Sequence, residues 1–344
     1  MRKSLKYLLL FSLLSVLLVN CDEEESLKPI EVETGVVISV DYESATVTGE
    51  IIEFGKGIEA FGHCWSTNPI PSVSDEKTTV IVEVDGNFQS EITGLIEEEK
   101  YYYRSYALNE DEVVYGQIKE FITTVNTLKI GLVAFYPFDG NVNDYSGNEN
   151  NAANYGAELT TDRFGILNSA YSFDGSNDYM SIDHTEDLNF DSYLNSYTIS
   201  LWVKGYSENI ETSRIIVKWN ELIQTPYPFF IGATSTDCLI RIHDIPNSNT
   251  GTDCGNIWDE SWQHIILVVN VDNGFMDSYI NNIIIGSSSI SSFVSTANEE
   301  DVFIGGTPIV DRYFNGYIDD IRIYNKALTE DEIQALYHED GWDL

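Results

Sequence analysis

The chain has 344 residues, 43% of them hydrophobic, with 18 Lys and Arg against 56 Asp and Glu for a formal charge of −38. That apolar fraction is ample for packed cores, and the length fits two domains behind a short leader. So acidic a chain repels phosphate backbones and anionic lipid, which excludes nucleic acid as a partner.

Met1-Arg-Lys-Ser-Leu-Lys6 is basic, and Tyr7 to Val19 is an apolar run broken only by Ser12 and Ser15. The run is too short to cross a bilayer as a stable helix and has the form of a signal-peptide core, which assigns residues 1–20 to a leader. Leu18-Val19-Asn20-Cys21 resembles a lipobox, the sequence at which bacterial lipoproteins are cut and acylated, with Asn20 departing from the usual small residue. The resemblance implies lipid on Cys21 and a mature chain that has lost Arg2, Lys3 and Lys6, leaving 15 basic against 56 acidic side chains, a net charge of −41. Acyl chains contribute about 0.8 kcal/mol per buried methylene and would be the membrane anchor. Asp22-Glu-Glu-Glu25 belongs to an acidic tether, residues 21–28, and resembles the signal that directs some lipoproteins to the outer face of the outer membrane. The expected location is therefore the outer membrane, lipid-anchored at the cell surface.

Residues 29–125 read as about seven short strands between turns, with apolar and polar residues alternating in Ala45-Thr-Val-Thr-Gly-Glu-Ile51 and Phe88-Gln-Ser-Glu-Ile92. Ile92-Thr-Gly-Leu95, Tyr101-Tyr-Tyr-Arg-Ser-Tyr-Ala-Leu-Asn109, Tyr115-Gly116 and Phe121-Ile-Thr-Thr124 resemble the second half of a fibronectin type III domain. The resemblance implies a small sandwich in which Tyr101 caps a corner with its hydroxyl, and Phe61-Gly-His-Cys-Trp65 is a central strand with Trp65 in the core. His63 and Cys64 lack a partner pair at zinc-like spacing and are read as buried strand.

Residues 126–130 are the expected linker, and 131–344 carry longer strands separated by Asp-Gly and Asn-Gly turns. Cys238 and Cys254 are close enough in sequence to close one loop and are expected to pair in an oxidising compartment. Helical periodicity is convincing only at Thr329-Glu-Asp-Glu-Ile-Gln-Ala-Leu-Tyr337, with Thr329 as N-cap and acidic residues in the first turn. The predicted fold is therefore all-β: a small sandwich, then a larger jelly roll of two sheets, with a short C-terminal helix.

Leu132-Val-Ala-Phe-Tyr-Pro-Phe-Asp-Gly140, Ala170-Tyr-Ser-Phe-Asp-Gly-Ser-Asn-Asp-Tyr179, Tyr197-Thr-Ile-Ser-Leu-Trp-Val203, Trp262-Gln-His264 and Phe314-Asn-Gly-Tyr-Ile-Asp-Asp-Ile-Arg-Ile-Tyr324 follow one another as in a concanavalin A-like or laminin G-like jelly roll. The resemblance implies a structural Ca²⁺ held among Asp139, Asp174, Gly175, Asp319 and Asp320, carboxylates and turn carbonyls being what a hard cation takes. Read from the residues alone, Asp139-Gly140 and Asp174-Gly175 are turn signals.

The fold class also contains retaining glucanases, whose paired carboxylates stand about 5–5.5 Å apart. Their Glu-x-Asp-x-x-Glu spacing is absent here: Glu299 and Asp301 have its first half, and Ile304 stands in place of the second Glu. The histidines at 63, 184, 243, 264 and 338 fall in no serine or cysteine nucleophile motif. The chain is accordingly read as a non-catalytic surface protein that binds carbohydrate through its jelly roll. A protein-binding adhesin or structural subunit is the first alternative, and a glycoside hydrolase with an unfamiliar carboxylate pair the second. Trp202, Trp262 and His264 occupy core positions of the family pattern. The stretch between them supplies the expected ligand aromatics, Trp219, Tyr227, Phe229 and Trp258, which could stack on a sugar ring.

Overall fold

The computed structural model describes residues 28–80, 86–206, 213–223, 226–234, 238–245, 248–253, 256–290 and 295–342. Cys21 of the expected lipid anchor and Cys254 of the expected disulfide lie outside them. The chain divides into two compact units, one ending at Asn126 and the other starting at Thr127.

In the first unit Ile30–Val40, Ser44–Phe54 and Asn87–Thr93 form a three-stranded sheet. Ala60–Ser66 and Lys100–Leu108 centre a second sheet that includes Glu76–Lys77, Val113–Tyr115 and Lys119–Ile122. Alternation puts Ala45, Val47, Ile92, Tyr101, Tyr103 and Trp65 in one core cluster. The Tyr101 hydroxyl accepts a hydrogen bond from Ile96 N at 3.1 Å, closing the corner before its strand. His63 is fully buried, with Nδ1 2.8 Å from Ser90 Oγ and Nε2 2.9 Å from Thr48 O. Cys64 beside it is a buried free thiol.

The second unit is a sandwich of two antiparallel sheets. The seven-stranded sheet runs Ala152–Tyr155, Tyr179–Ile182, Val302–Ile304, Ser213–Val217, Tyr227–Ala233, Cys238–Ile245, Ser248–Asp253. The eight-stranded sheet runs Glu158–Thr161, Leu167–Asp174, Asn315–Tyr324, Tyr197–Gly205, Gln263–Asn270, Phe275–Ile280, Ile283–Ser289, with Leu132–Tyr136 also paired to Asn315–Tyr324. Between the sheets lies one large core containing Ile199, Leu201, Val203, Ile265, Leu267, Ile318, Ile321 and Ile323. The fold is thus the expected all-β arrangement, with a concanavalin A-like sandwich as its larger part.

The helix Glu330–Tyr337 covers the outer side of the eight-stranded sheet. Thr329 and Glu332 form a reciprocal capping box, worth about 1 kcal/mol. Ile333 and Leu336 pack on Ile266, Val268 and Tyr324. Leu128, inside the stretch expected to be linker, is buried in the same cluster.

Candidate functional site

The two faces that point away from the sandwich core are where a ligand can be met. On the eight-stranded sheet, Asp319 and Asp320 are neighbours on one strand and by simple alternation would face opposite ways. A register break opposite Ser200–Trp202 and a left-handed Asp320 (φ 48°) form a bulge that turns both carboxylates to the same side. Arg163 receives them as a fork, Nη1 to Asp319 Oδ2 at 2.9 Å and Nη2 to Asp320 Oδ2 at 3.0 Å. Its guanidinium lies 4.7 Å from the ring centre of Trp202. Arg322 continues the network to Asp320 at 3.2 Å and on to Glu339. Burial and the adjacent Asp320 push the Asp319 carboxyl upward, and Arg163 pulls it back. Trp202 in turn stacks on His264 at 4.7 Å, and burial holds that imidazole down at about 3.

This arrangement bears directly on the expected calcium residues. Asp139, Asp319 and Asp320 line one cleft of about 740 Å³, but Arg163 and Arg322 line it with them. Asp174 and Gly175 are not brought to it: Asp174 pairs with Asn315 at the far end of the strand, and its carboxylate accepts from Ser176 N and Asn177 N of its own turn. Among the described residues no group of three or more His, Cys, Asp or Glu is arranged to hold a metal ion. The donor set therefore does not fit Ca²⁺, because guanidinium groups already occupy the carboxylates that the ion would need.

The expected ligand aromatics divide between the two sides of the seven-stranded sheet. Phe229 and Trp258 belong to the inter-sheet core, and Trp258 Nε1 donates to Thr234 O at 2.7 Å. Trp219 and Tyr227 lie on the outer face, 4.6 Å apart between ring centres. Tyr227 and Phe229, two residues apart, would share a face in a regular strand, but the register shifts between Tyr227 and Phe230 and separates them. The four expected ligand aromatics are therefore not brought together: Phe229 and Trp258 are interior packing, Tyr227 is buried, and Trp219 is half-buried at the rim.

That outer face has its own apolar floor of Val217, Tyr227, Phe230 and Phe303, against which Tyr179, Trp219, Leu239 and Ile309 pack. Tyr155, 48% exposed, stacks on Tyr179 at 4.6 Å with the rings only 8° apart, and Tyr179 tilts against Phe303 at 6.2 Å. Arg214 lies 4.7 Å over Phe230 and is tied to Glu221, its Nε donating to Oε1 at 2.6 Å. The Trp219 indole N–H is a buried donor with no hydrogen-bond partner. Of these residues the sequence reading missed Tyr155, Tyr179, Phe230 and Phe303. Their strands are far apart in the chain and meet only through the pairings Tyr155↔Tyr179, Ser181↔Phe303, Phe303↔Val217 and Val217↔Phe230.

Comparison with known proteins places the larger unit. Residues 174–334 match the family described as the concanavalin A-like lectin/glucanases superfamily. A Clostridium botulinum protein, non-toxic nonhemagglutinin type E, is 21% identical over 212 residues, which is 62% of this chain and 17% of that protein. The binding domain of Paraclostridial Mosquitocidal Protein 1 superposes with a TM-score of 0.52 at 20% identity, covering 62% of this chain and 53% of the other. The binding domain of botulinum neurotoxin DC gives a TM-score of 0.50 at 16% identity, covering 62% and 52%, in a complex with SialylT. The same domain has also been solved with rat synaptotagmin II, with a TM-score of 0.50, 16% identity and coverage of 60% and 51%. The chain thus spans about half of these solved domains and a much smaller share of the curated relative. At such identities the likeness shows a shared fold.

Proposed function

We propose that this chain is a non-catalytic surface lipoprotein whose jelly roll binds carbohydrate through the outer face of the seven-stranded sheet. The observation that carries the reading is the aromatic floor with half-open rings at its margin, Tyr155, Tyr179 and Trp219, bordered by charged groups. Sugars offer an apolar ring face and peripheral hydroxyls, and such a floor with a polar rim is complementary to both. The binding domains of similar fold, one of them solved with SialylT, support the same reading.

In affinity gels containing neutral and acidic polysaccharides, the full chain is expected to be retarded by at least one polymer. Tyr155→Ala and Trp219→Ala should each weaken that retardation about tenfold, the loss of roughly 1.4 kcal/mol of stacking. Unaltered retardation in both variants would sink the assignment to this face. The synaptotagmin complex of a similar fold favours, as a second reading, a protein partner. A clean partner in pull-downs, with no polymer retarding the chain, selects it.

The fibronectin-like unit would then act as a spacer and the acyl group as the anchor. Expressed in a Gram-negative host, the mature protein should carry acyl mass on Cys21 and partition with outer membranes, and Cys21→Ser should release it. An unacylated N-terminus on the wild type would make this a freely secreted protein.

A further inference from the structure

Among the described residues, the same face holds an arginine with no carboxylate within ion-pair distance. The jelly roll has five arginines. Arg163, Arg214, Arg312 and Arg322 each stand within ion-pair distance of a carboxylate. The Arg241 side chain makes no ion pair and no hydrogen bond among the described residues. In a chain with 56 acidic side chains, an arginine left half-buried without a counter-charge stands out.

Its position is set by register. Across the outer face Phe303 pairs with Val217, Val217 with Phe230, Phe230 with Arg241, and Arg241 with Gly251. Arg241 therefore continues the aromatic row by one strand. A Cβ on Gly251 would stand 2.8 Å from Arg241 Cγ, so the glycine leaves the arginine stem room to lie across the neighbouring strand. Leu239, two residues back, packs on the aromatic cluster and pairs with Asp253. Leu239, Arg241, Gly251 and Asp253 line a groove of about 420 Å³.

We infer that this groove is a subsite for a carboxylate-bearing sugar, the Arg241 guanidinium taking the carboxylate and Asp253 the hydroxyls. The inference rests on the carbohydrate reading above. A guanidinium fork matches a carboxylate with two parallel hydrogen bonds. Asp253 repels a bare anion held close to it but accepts hydrogen bonds from hydroxyls, so the pair together favours an acidic sugar over inorganic phosphate or sulfate. Leu239 supplies the apolar side of the groove. The chain's overall negative charge opposes polyanions at long range, but at about 0.15 M salt the screening length is roughly 8 Å, and contact at Arg241 is decided locally.

The test uses the full chain and four polymers: polygalacturonate, its methyl ester, polysialic acid, and dextran sulfate as a control for charge alone. The expected result is at least about tenfold tighter binding to one or both carboxylate polymers than to the methyl ester, the span of one charge-assisted contact. Arg241→Gln should bring the acid down to the level of the ester while leaving the ester unchanged, and Arg241→Lys should keep part of the preference. Preference for only one acid identifies the source as uronic or sialic. Equal binding of acid and ester, a preference that survives in Arg241→Gln, or equal retention by dextran sulfate overturns the subsite while leaving the carbohydrate reading intact. Failure to bind any of these or any neutral polymer overturns both.

Discussion

Arg163→Met is expected to lower the unfolding free energy of the jelly roll by about 3–5 kcal/mol, the cost of leaving a buried carboxylate without its partner. The side chains of Arg163 and Asp319 are 4% and 3% exposed, so water cannot take over the lost contact. Both forks of the guanidinium are used, on Asp319 and Asp320, and its flat face rests on Trp202. For a unit of this size the loss corresponds to a fall in Tm of about 10 °C. The triple change Arg163→Met, Asp319→Asn, Asp320→Asn removes the stranded charge and should recover more than half of the loss. A fall of under 1 kcal/mol in Arg163→Met would show that the network is solvated and of little structural weight.

Acid should destabilise the smaller unit well above the ordinary carboxylate range. Burial pushes the His63 imidazole down from 6.5 to about 4. Its folded-state value is depressed, so between pH 6.5 and 4 the unfolded chain binds more protons and stability falls as the pH is lowered; below about 4 the effect is complete. At 1.36 kcal/mol per pH unit the full effect is about 3 kcal/mol. His264 has the same sign in the jelly roll, but the raised Asp319 carboxyl opposes it through part of that window, so the cleaner slope belongs to the smaller unit. Urea titrations from pH 7 to 4 should show this slope, and His63→Gln, which cannot titrate, should flatten it. A wild-type unit with level stability across that range would contradict a buried neutral His63.

The strand content and the capped C-terminal helix were legible because each rests on local signals: period-two alternation, turn residues, and a Thr329–Glu332 box contained in four consecutive residues. Those are contacts the chain makes with itself over short distances, and composition and spacing encode them directly. The placement of Phe229 and Phe230 was not legible. They are adjacent and so face opposite sides, but which of them fills the inter-sheet core and which floors the outer face is decided by a register shift between Tyr227 and Phe230. The Asp319–Asp320 doublet looked like a cation site for the same reason: the partner that claims both carboxylates, Arg163, lies 156 residues away from the first of them. Arg241 carries no motif at all and became notable only when its neighbours across the sheet were known. The sequence by itself determined which segments are strands and which residues prefer burial, since hydrophobic periodicity is a property of the local chain. Only the tertiary structure decided which charges are neutralised and which ring faces stay open, because bulges and long-range pairing set side-chain direction and counter-charge.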